Sequence, residues 1–210
     1  MNEFLLRDSF ELHDTVRALL ERAYPYPGLR FSAAMDTCGV SFEHAYGVLS
    51  LVETGLPSSA AALLRVQFEA VTRAMWLLYA ASDSDIDTML GPLNIENQKA
   101  ANKLPMAAEM LKALEKNGPP MAVRPLARFK EFSAGPMNSF IHSGLHASKR
   151  QREGFPITLI EQIVVSANGL VTMSGMTAAV LTGDGSLTAE IRDIQGQFVR
   201  VLPPLDTSTN

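Results

Sequence analysis

Apolar residues recur along this chain at intervals of three and four. Between residues 2 and 23, Leu12, Val16, Leu19, Leu20 and Ala23 fall on one helical face. Tyr24-Pro25-Tyr26-Pro27-Gly28 ends that pattern, because proline cannot continue a helix and restricts the residue before it. After Ser32 a second stripe runs through Met35, Cys38, Phe42, Ala45, Tyr46, Leu49 and Val52, and Gly55 stops it. Pro57 opens a third helix, at a position where its missing N–H costs nothing, and the pattern continues to Ala81. Leu64, Phe68, Val71, Met75 and Leu78 mark its buried side, and Ala70, Ala74 and Leu77 carry apolar surface onto a second side. A helix that is apolar over most of its circumference belongs in the centre of a bundle.

The acidic turn Ser82-Asp83-Ser84-Asp85-Ile86-Asp87 has the D-x-D-x-D spacing of a calcium loop. Thr88 stands where that loop needs glycine, and Asn94 where it needs a bidentate glutamate, so these carboxylates are expected to cap the next helix. Residues 94–117 read as one helix interrupted at Pro105 or as two short ones. Asn117-Gly118 and Pro119-Pro120 separate them from a short helix over 121–134. Gly135-Pro136 is expected to break that helix and start another, 137–148. Pro156 opens a long helix to Thr182, and Ser186 caps a last one to about Arg200. No strand pattern, internal repeat or long linker interrupts this order. The expectation is an all-α, single-domain helical bundle of about seven to nine helices over residues 1–202, with 203–210 as a disordered C-terminal tail.

Composition refines this picture in a few places. Hydrophobic residues are 47% and charged residues 19%, a globular balance. The net charge of −4 argues against broad nonspecific binding to nucleic acid, though it leaves room for a local basic surface. Ile163 to Thr182 carries no charge over the length of a membrane span. It also contains Ser166, Asn168, Ser174, three threonines and two glycines, with no positive flank after it, so a central buried helix is the expected reading and no membrane partner is expected. Cys38, the single cysteine, excludes an internal disulfide and sits in an apolar pattern as an inert thiol. The N-terminus, with Glu3, Arg7, Asp8 and Glu11, lacks the apolar core of a signal peptide. A reducing cytoplasm is the expected location.

Two polar lines stand out on otherwise apolar helices. Arg65, Glu69 and Arg73 lie four residues apart on the third helix, with Trp76 on the same side. They form either an ion-pair ladder or a guanidinium clamp for phosphate or carboxylate, with Glu69 holding the clamp in place. Ser139, His142 and His146 form the second line. The two histidines could be structural, could move protons near neutral pH, or could share a metal, but no third ligand or H-E-x-x-H motif accompanies them and no cofactor is expected. Gly144, costly inside a helix, marks a close approach of backbone or ligand. The two helices are expected to face each other, with Arg65, Glu69, Arg73 and Ser139 binding a ligand and His142 or His146 acting as acid or base. His13 and His44 stand alone. Arg7 and His13 match the R-x4-6-H spacing of HEPN ribonucleases, but twelve arginines and four histidines give about one such match by chance. There is no phosphate-cradling glycine loop, no G-x-S-x-G elbow and no Rossmann fingerprint.

The run from Ser58 to Glu69, continuing to Arg73 and Trp76, together with Ser139, His142 and His146, resembles the signatures of small all-helical bacterial families catalogued as domains of unknown function. Some of those families look remotely like HEPN bundles. That resemblance implies RNA or nucleotide partners, and ribonucleases or non-catalytic partners in bacterial defence and toxin–antitoxin pairs. Neither His142 nor His146 has an arginine at the HEPN distance before it, so the usual cleavage mechanism is not implied. The alternative expectation is a non-catalytic, homodimeric interaction module in which the two polar lines are buried and fix packing.

Overall fold

The helices expected from the apolar stripes form, but in more pieces. The computed structural model describes residues 3–204, apart from the side chains of residues 3, 132 and 134. Among the described residues the chain is 81% helix, with no strand and eleven α-helices rather than seven to nine. They are α1 (Glu3–Leu20), α2 (Leu29–Glu53), α3 (Pro57–Tyr79), α4 (Asp83–Leu90), α5 (Ile95–Ala101), α6 (Ala107–Asn117), α7 (Pro120–Phe129), α8 (Gly135–Ile141), α9 (Leu145–Glu153), α10 (Ile157–Thr182) and α11 (Gly185–Gln197). A π turn, Lys130–Ala134, joins α7 to α8, and a 3₁₀ turn, Val199–Val201, follows α11. Of the segment expected as a disordered tail, 205–210 lies outside the described residues.

The extra pieces have local causes. Residues 94–117 divide at Pro105, and α6 starts afresh with the Glu109 carboxylate accepting from the Met106 N–H at 2.9 Å. The helix expected over 137–148 divides as well, because the chain leaves α8 through Ser143, whose φ is 50°. Gly135-Pro136, in contrast, does not break the chain as expected. Gly135 keeps right-handed helical angles, and the π turn before it widens the helix where Pro136 would otherwise clash with the preceding turn. The acidic turn caps α4 as expected: Ser82 Oγ accepts from the Asp85 N–H, and the Asp85 carboxylate accepts from the Ser82 N–H at 2.9 Å.

Three residues, Thr54 to Leu56, connect α2 to α3, and the two helices pack along their length. α10 lies against both, and also against α1 and α11. Leu12, Leu49, Phe68, Met75, Leu77, Leu170 and Leu181 fill the space between them and are fully buried. Arg30 fixes the end of α3, its Nη1 donating to the Leu77 and Ala81 carbonyls at 2.7 and 2.8 Å and its Nη2 to Asp83 at 2.8 Å. A cation there satisfies carbonyls that the helix itself cannot. Gly175 lets helices close up: a Cβ would come within 2.8 Å of Val16 Cγ1 and 3.0 Å of Ile191 Cδ1. α10 is long and apolar enough to cross a membrane, and 67% of its apolar window is buried against the rest of the protein.

Burying α10 also buries its polar side chains. Asn168 is fully buried. Its Nδ2 donates to Ser9 Oγ at 2.7 Å and to the Val201 carbonyl at 2.9 Å, and its Oδ1 faces His13 Nε2 at 2.9 Å. Ser9 Oγ in turn donates to the Leu5 carbonyl. The amide orientation that satisfies these partners requires the proton on His13 Nε2, which leaves Nδ1 buried without a partner among the described residues. Elsewhere, Ser41 and Ser174 hydroxyls pair at 2.8 Å, and Gln67 Nε2 donates to the Ala167 carbonyl at 3.0 Å.

Asn168 ties α1 and the chain after α11 to α10 through one side chain. Replacing it with alanine strands Ser9, His13 and the Val201 carbonyl, at an expected cost of about 2–4 kcal/mol in denaturant unfolding. Burial lowers the His13 pKa from 6.5 to about 4. The folded imidazole therefore stays neutral where the unfolded one takes up a proton. This contribution is complete above pH 6.5 and is lost as the pH falls to about 4. Unfolding free energy should drop by about 3 kcal/mol more across that window in the native protein than in His13→Gln. Parallel curves for the two would refute the neutral, buried imidazole.

Candidate functional site: a polar seam along α3

The Arg65-Glu69-Arg73 line runs along α3 in a seam between α8 and α4. At its first end, Arg65 is almost enclosed, with a side-chain exposure of 13%, and its Nη2 meets Glu69 Oε1 at 2.9 Å. Arg65 Nε donates to Asn138 Oδ1 on α8 at 3.3 Å. The guanidinium carbon lies 5.4 Å from the centre of the Phe68 ring, which itself stacks on Phe129 at 4.9 Å. This cation is held by a carboxylate, an amide oxygen and an aromatic face.

Arg73 has far less. It is half-buried, and desolvation lowers its pKa while the Glu69 charge acts the other way. Its Nη1 points to the Met89 sulfur on α4 at 3.8 Å. A thioether is a weak acceptor. Among the described residues, Arg73 has neither a carboxylate within ion-pair distance nor a side-chain oxygen accepting from it. A partly desolvated guanidinium with unspent donors is the part of this seam best suited to receive an anion.

The histidines stand differently from their expected arrangement. The expectation that His142 and His146 share one helical face is corrected by the turn between them: α8 ends at Ile141, and α9 begins at Leu145. Both side chains are exposed, and α8 reaches Arg65 through Asn138 rather than through an imidazole. Ser139 organises the elbow. Its Oγ accepts from the His146 backbone N–H at 2.8 Å, and its carbonyl accepts from the Gly144 N–H at 2.7 Å. A Cβ on Gly144 would come within 2.8 Å of that hydroxyl, which accounts for the glycine without a ligand. No group of three or more His, Cys, Asp or Glu side chains among the described residues could hold a metal. Cys38 is buried, and burial pushes its thiol up to about 12.

Two concavities lie elsewhere. A groove of about 880 Å³ between α1 and α11 is walled by Glu11, Asp14, Glu190 and Asp193, with Arg22 paired to Glu190 at 2.7 Å. A smaller hollow involves Arg7, Asp8 and Arg200. No residue of α3 or α8 lines either.

The seam lies within a recognisable stretch of sequence: the model of a family of unknown function, DUF6988, matches residues 38–204. The chain belongs to that family. The DUF6988 match takes in Arg65, Glu69, Arg73, Ser139, His142 and His146, and it leaves α1 outside. No curated protein matches the chain. No solved structure matches it.

The buried Ser9-His13-Asn168 group has no motif that marks it in the sequence. Ser9 and His13 are four apart on α1, and Asn168 lies in the middle of the longest uncharged helix. A polar residue that must be buried needs partners, and that was the available signal.

The elbow makes a specific prediction. Ser139→Ala and Gly144→Ala should each loosen α9, since one removes the hydroxyl and the other displaces it. Because both act on the same bond, the double variant should lose less stability than the two single losses added, by about 0.5–1 kcal/mol. Additive losses in thermal unfolding would show that the hydroxyl does not hold the His146 N–H.

Proposed function

We propose that this protein is a helical-bundle binder of RNA or nucleotide phosphate, HEPN-like in kind, with the α3 seam as its anion site. The observation that carries this reading is Arg73, half-buried and, among the described residues, with only a thioether to receive its donors. Glu69 and Asn138 hold Arg65 in place beside it, so the seam offers one fixed and one open guanidinium. The charge of the segment that contributes Asn138 to the seam favours the same class of ligand. Between residues 91 and 156 there are ten Lys and Arg against five Asp and Glu, in a chain whose net charge is −4. That stretch, which holds α8, carries a net positive charge in an acidic protein.

Binding fits this geometry better than cleavage. His142 and His146 are exposed, lie on either side of a turn, and no carboxylate pairs with either imidazole among the described residues. A general base is usually held in orientation by a third group. The setting we infer is the bacterial cytoplasm, in a defence or toxin–antitoxin pair.

A second reading has its own observation. Leu93, Ile95, Met106, Met121 and Leu145 are exposed by more than 70%. Apolar side chains this open on the α4–α9 region favour a protein interface, and a non-catalytic homodimeric module would use them.

Fluorescence anisotropy with a short single-stranded RNA and with ATP tests the first reading. Arg73→Ala should weaken binding about tenfold, while His142→Ala should change it little and the wild type should leave the RNA intact. Cleavage that disappears in His142→Ala would make the histidine a proton carrier instead. Equal affinity in the wild type and Arg73→Ala would remove the seam as the site.

A further inference from the structure

We propose that a second anion site, independent of the α3 seam, lies where the two ends of the folded chain meet. Its ligand class is a phosphate monoester or pyrophosphate group. The site is a hollow of about 250 Å³ lined by Phe4, Leu5, Arg7, Asp8, Arg200 and Val201.

The hollow is built around a buried carboxylate. Asp8 is 5% exposed, yet both of its oxygens are taken by arginines that are themselves mostly in solvent. Arg7 donates from Nε and Nη2 to Oδ1, at 3.1 and 2.9 Å. Arg200 donates from Nη2 to Oδ2 at 3.0 Å. Among the described residues, two guanidinium groups thus share one carboxylate, two positive charges against one negative. Among the described residues, no acceptor meets the Nη1 groups of either arginine or the Nε of Arg200. Asp8 holds the Arg7 fork through two donors and tethers Arg200 through one, as supporting carboxylates do behind phosphate-binding arginines. The Phe4 ring packs on Arg7 with the guanidinium carbon 4.9 Å from its centre, and adds an apolar wall for whatever carries the phosphate.

The far wall is equally fixed. Val201 is buried, its carbonyl is bonded to Asn168, and Pro203 lies against α10 where a Cβ on Gly169 would come within 2.8 Å. The plain alternative is a clasp: Asp8 ties the last turn to α1, and the arginines have no further role. A clasp needs one arginine on one carboxylate. Here Arg7, a neighbour of Asp8 on the same helix, ties nothing together and only sets a second fork beside the first. Small size and two adjacent guanidinium groups favour a compact multivalent anion over a chloride or a monocarboxylate.

The test uses the full chain at constant ionic strength. Inorganic phosphate, pyrophosphate and adenosine monophosphate are titrated by calorimetry and thermal shift, with chloride and sulfate as controls. Pyrophosphate should bind saturably and raise the melting temperature. Arg7→Gln and Arg200→Gln should each weaken it about tenfold, and Arg73→Ala should leave it unchanged. If Arg200→Gln unfolds the last turn, Arg7→Gln decides alone, because Arg7 is exposed and holds no other element in place. Tighter binding of adenosine monophosphate than of phosphate would assign the apolar wall to the attached group. Tighter binding of free phosphate would assign the site to the anion alone. Absent saturation, equal shifts with chloride, or undiminished binding in Arg7→Gln would overturn the site. Loss of pyrophosphate binding in Arg73→Ala alone would move it to the α3 seam.

Discussion

Everything in this fold depends on enclosing α10. It is uncharged from Ile163 to Thr182, so it has no ionic surface to show to water, and α1, α2, α3 and α11 pack against it. Enclosure brings a second demand, since every polar side chain on α10 must then find a partner inside. Asn168 meets that demand through α1 and the Val201 carbonyl, Ser174 through Ser41, and the Ala167 carbonyl through Gln67. The hydrophobic effect supplies the drive and sets no register, because apolar contact is non-directional. These few hydrogen bonds fix which turn of α1 and of α2 lies beside which turn of α10.

That division explains what could be read from the sequence. Stripes of period 3.6 locate α1 and α2, and long runs apolar on most sides locate α3 and α10, because these helices bury continuous surface. The short helices between α4 and α9 were less legible. Their boundaries follow from Ser143 taking a left-handed φ and from a π turn absorbing Pro136, and neither leaves a periodic mark. A non-glycine residue at positive φ is the kind of event that only tertiary packing enforces. The expectation that Gly135-Pro136 breaks the chain failed for the same reason: proline's clash with the preceding turn can be relieved by widening the helix rather than ending it.

The candidate site was legible in part. The spacing of Arg65, Glu69 and Arg73 places them on one line of α3, and that line does lie in a seam instead of on an open face. What spacing could not show is that the two arginines have different fates. Glu69 is equidistant from both in sequence, but it pairs with Arg65, whose other side is closed by Asn138, and leaves Arg73 facing a thioether. The histidine pair was misjudged because i and i+4 share a face only while the helix is continuous. Gly144, read as a sign of close approach, marks the discontinuity itself: Ser139 caps the new helix through the space a side chain would fill.

The contrast between the two arginines of α3 bears on how such a bundle could carry a binding site at all. A cation taken from water into a seam costs more than a surface ion pair returns, unless its donors are matched. Arg65 is matched, so its role is complete in the folded chain and its removal should act on packing. Arg73 is not, so the fold carries it at a cost that an arriving anion would offset. Structural and ligand-binding roles are therefore separable along one helix, eight residues apart in sequence, by asking which guanidinium already has its oxygen acceptors. The same question divides the arginines at the chain ends. Arg200 crosses from the last turn to Asp8 on α1 and so has a structural reason to be there. Arg7 is a neighbour of Asp8 on α1 and closes no distance between elements. A second fork on a carboxylate already held adds donors and charge to a hollow in the surface, which is a provision for something outside the chain.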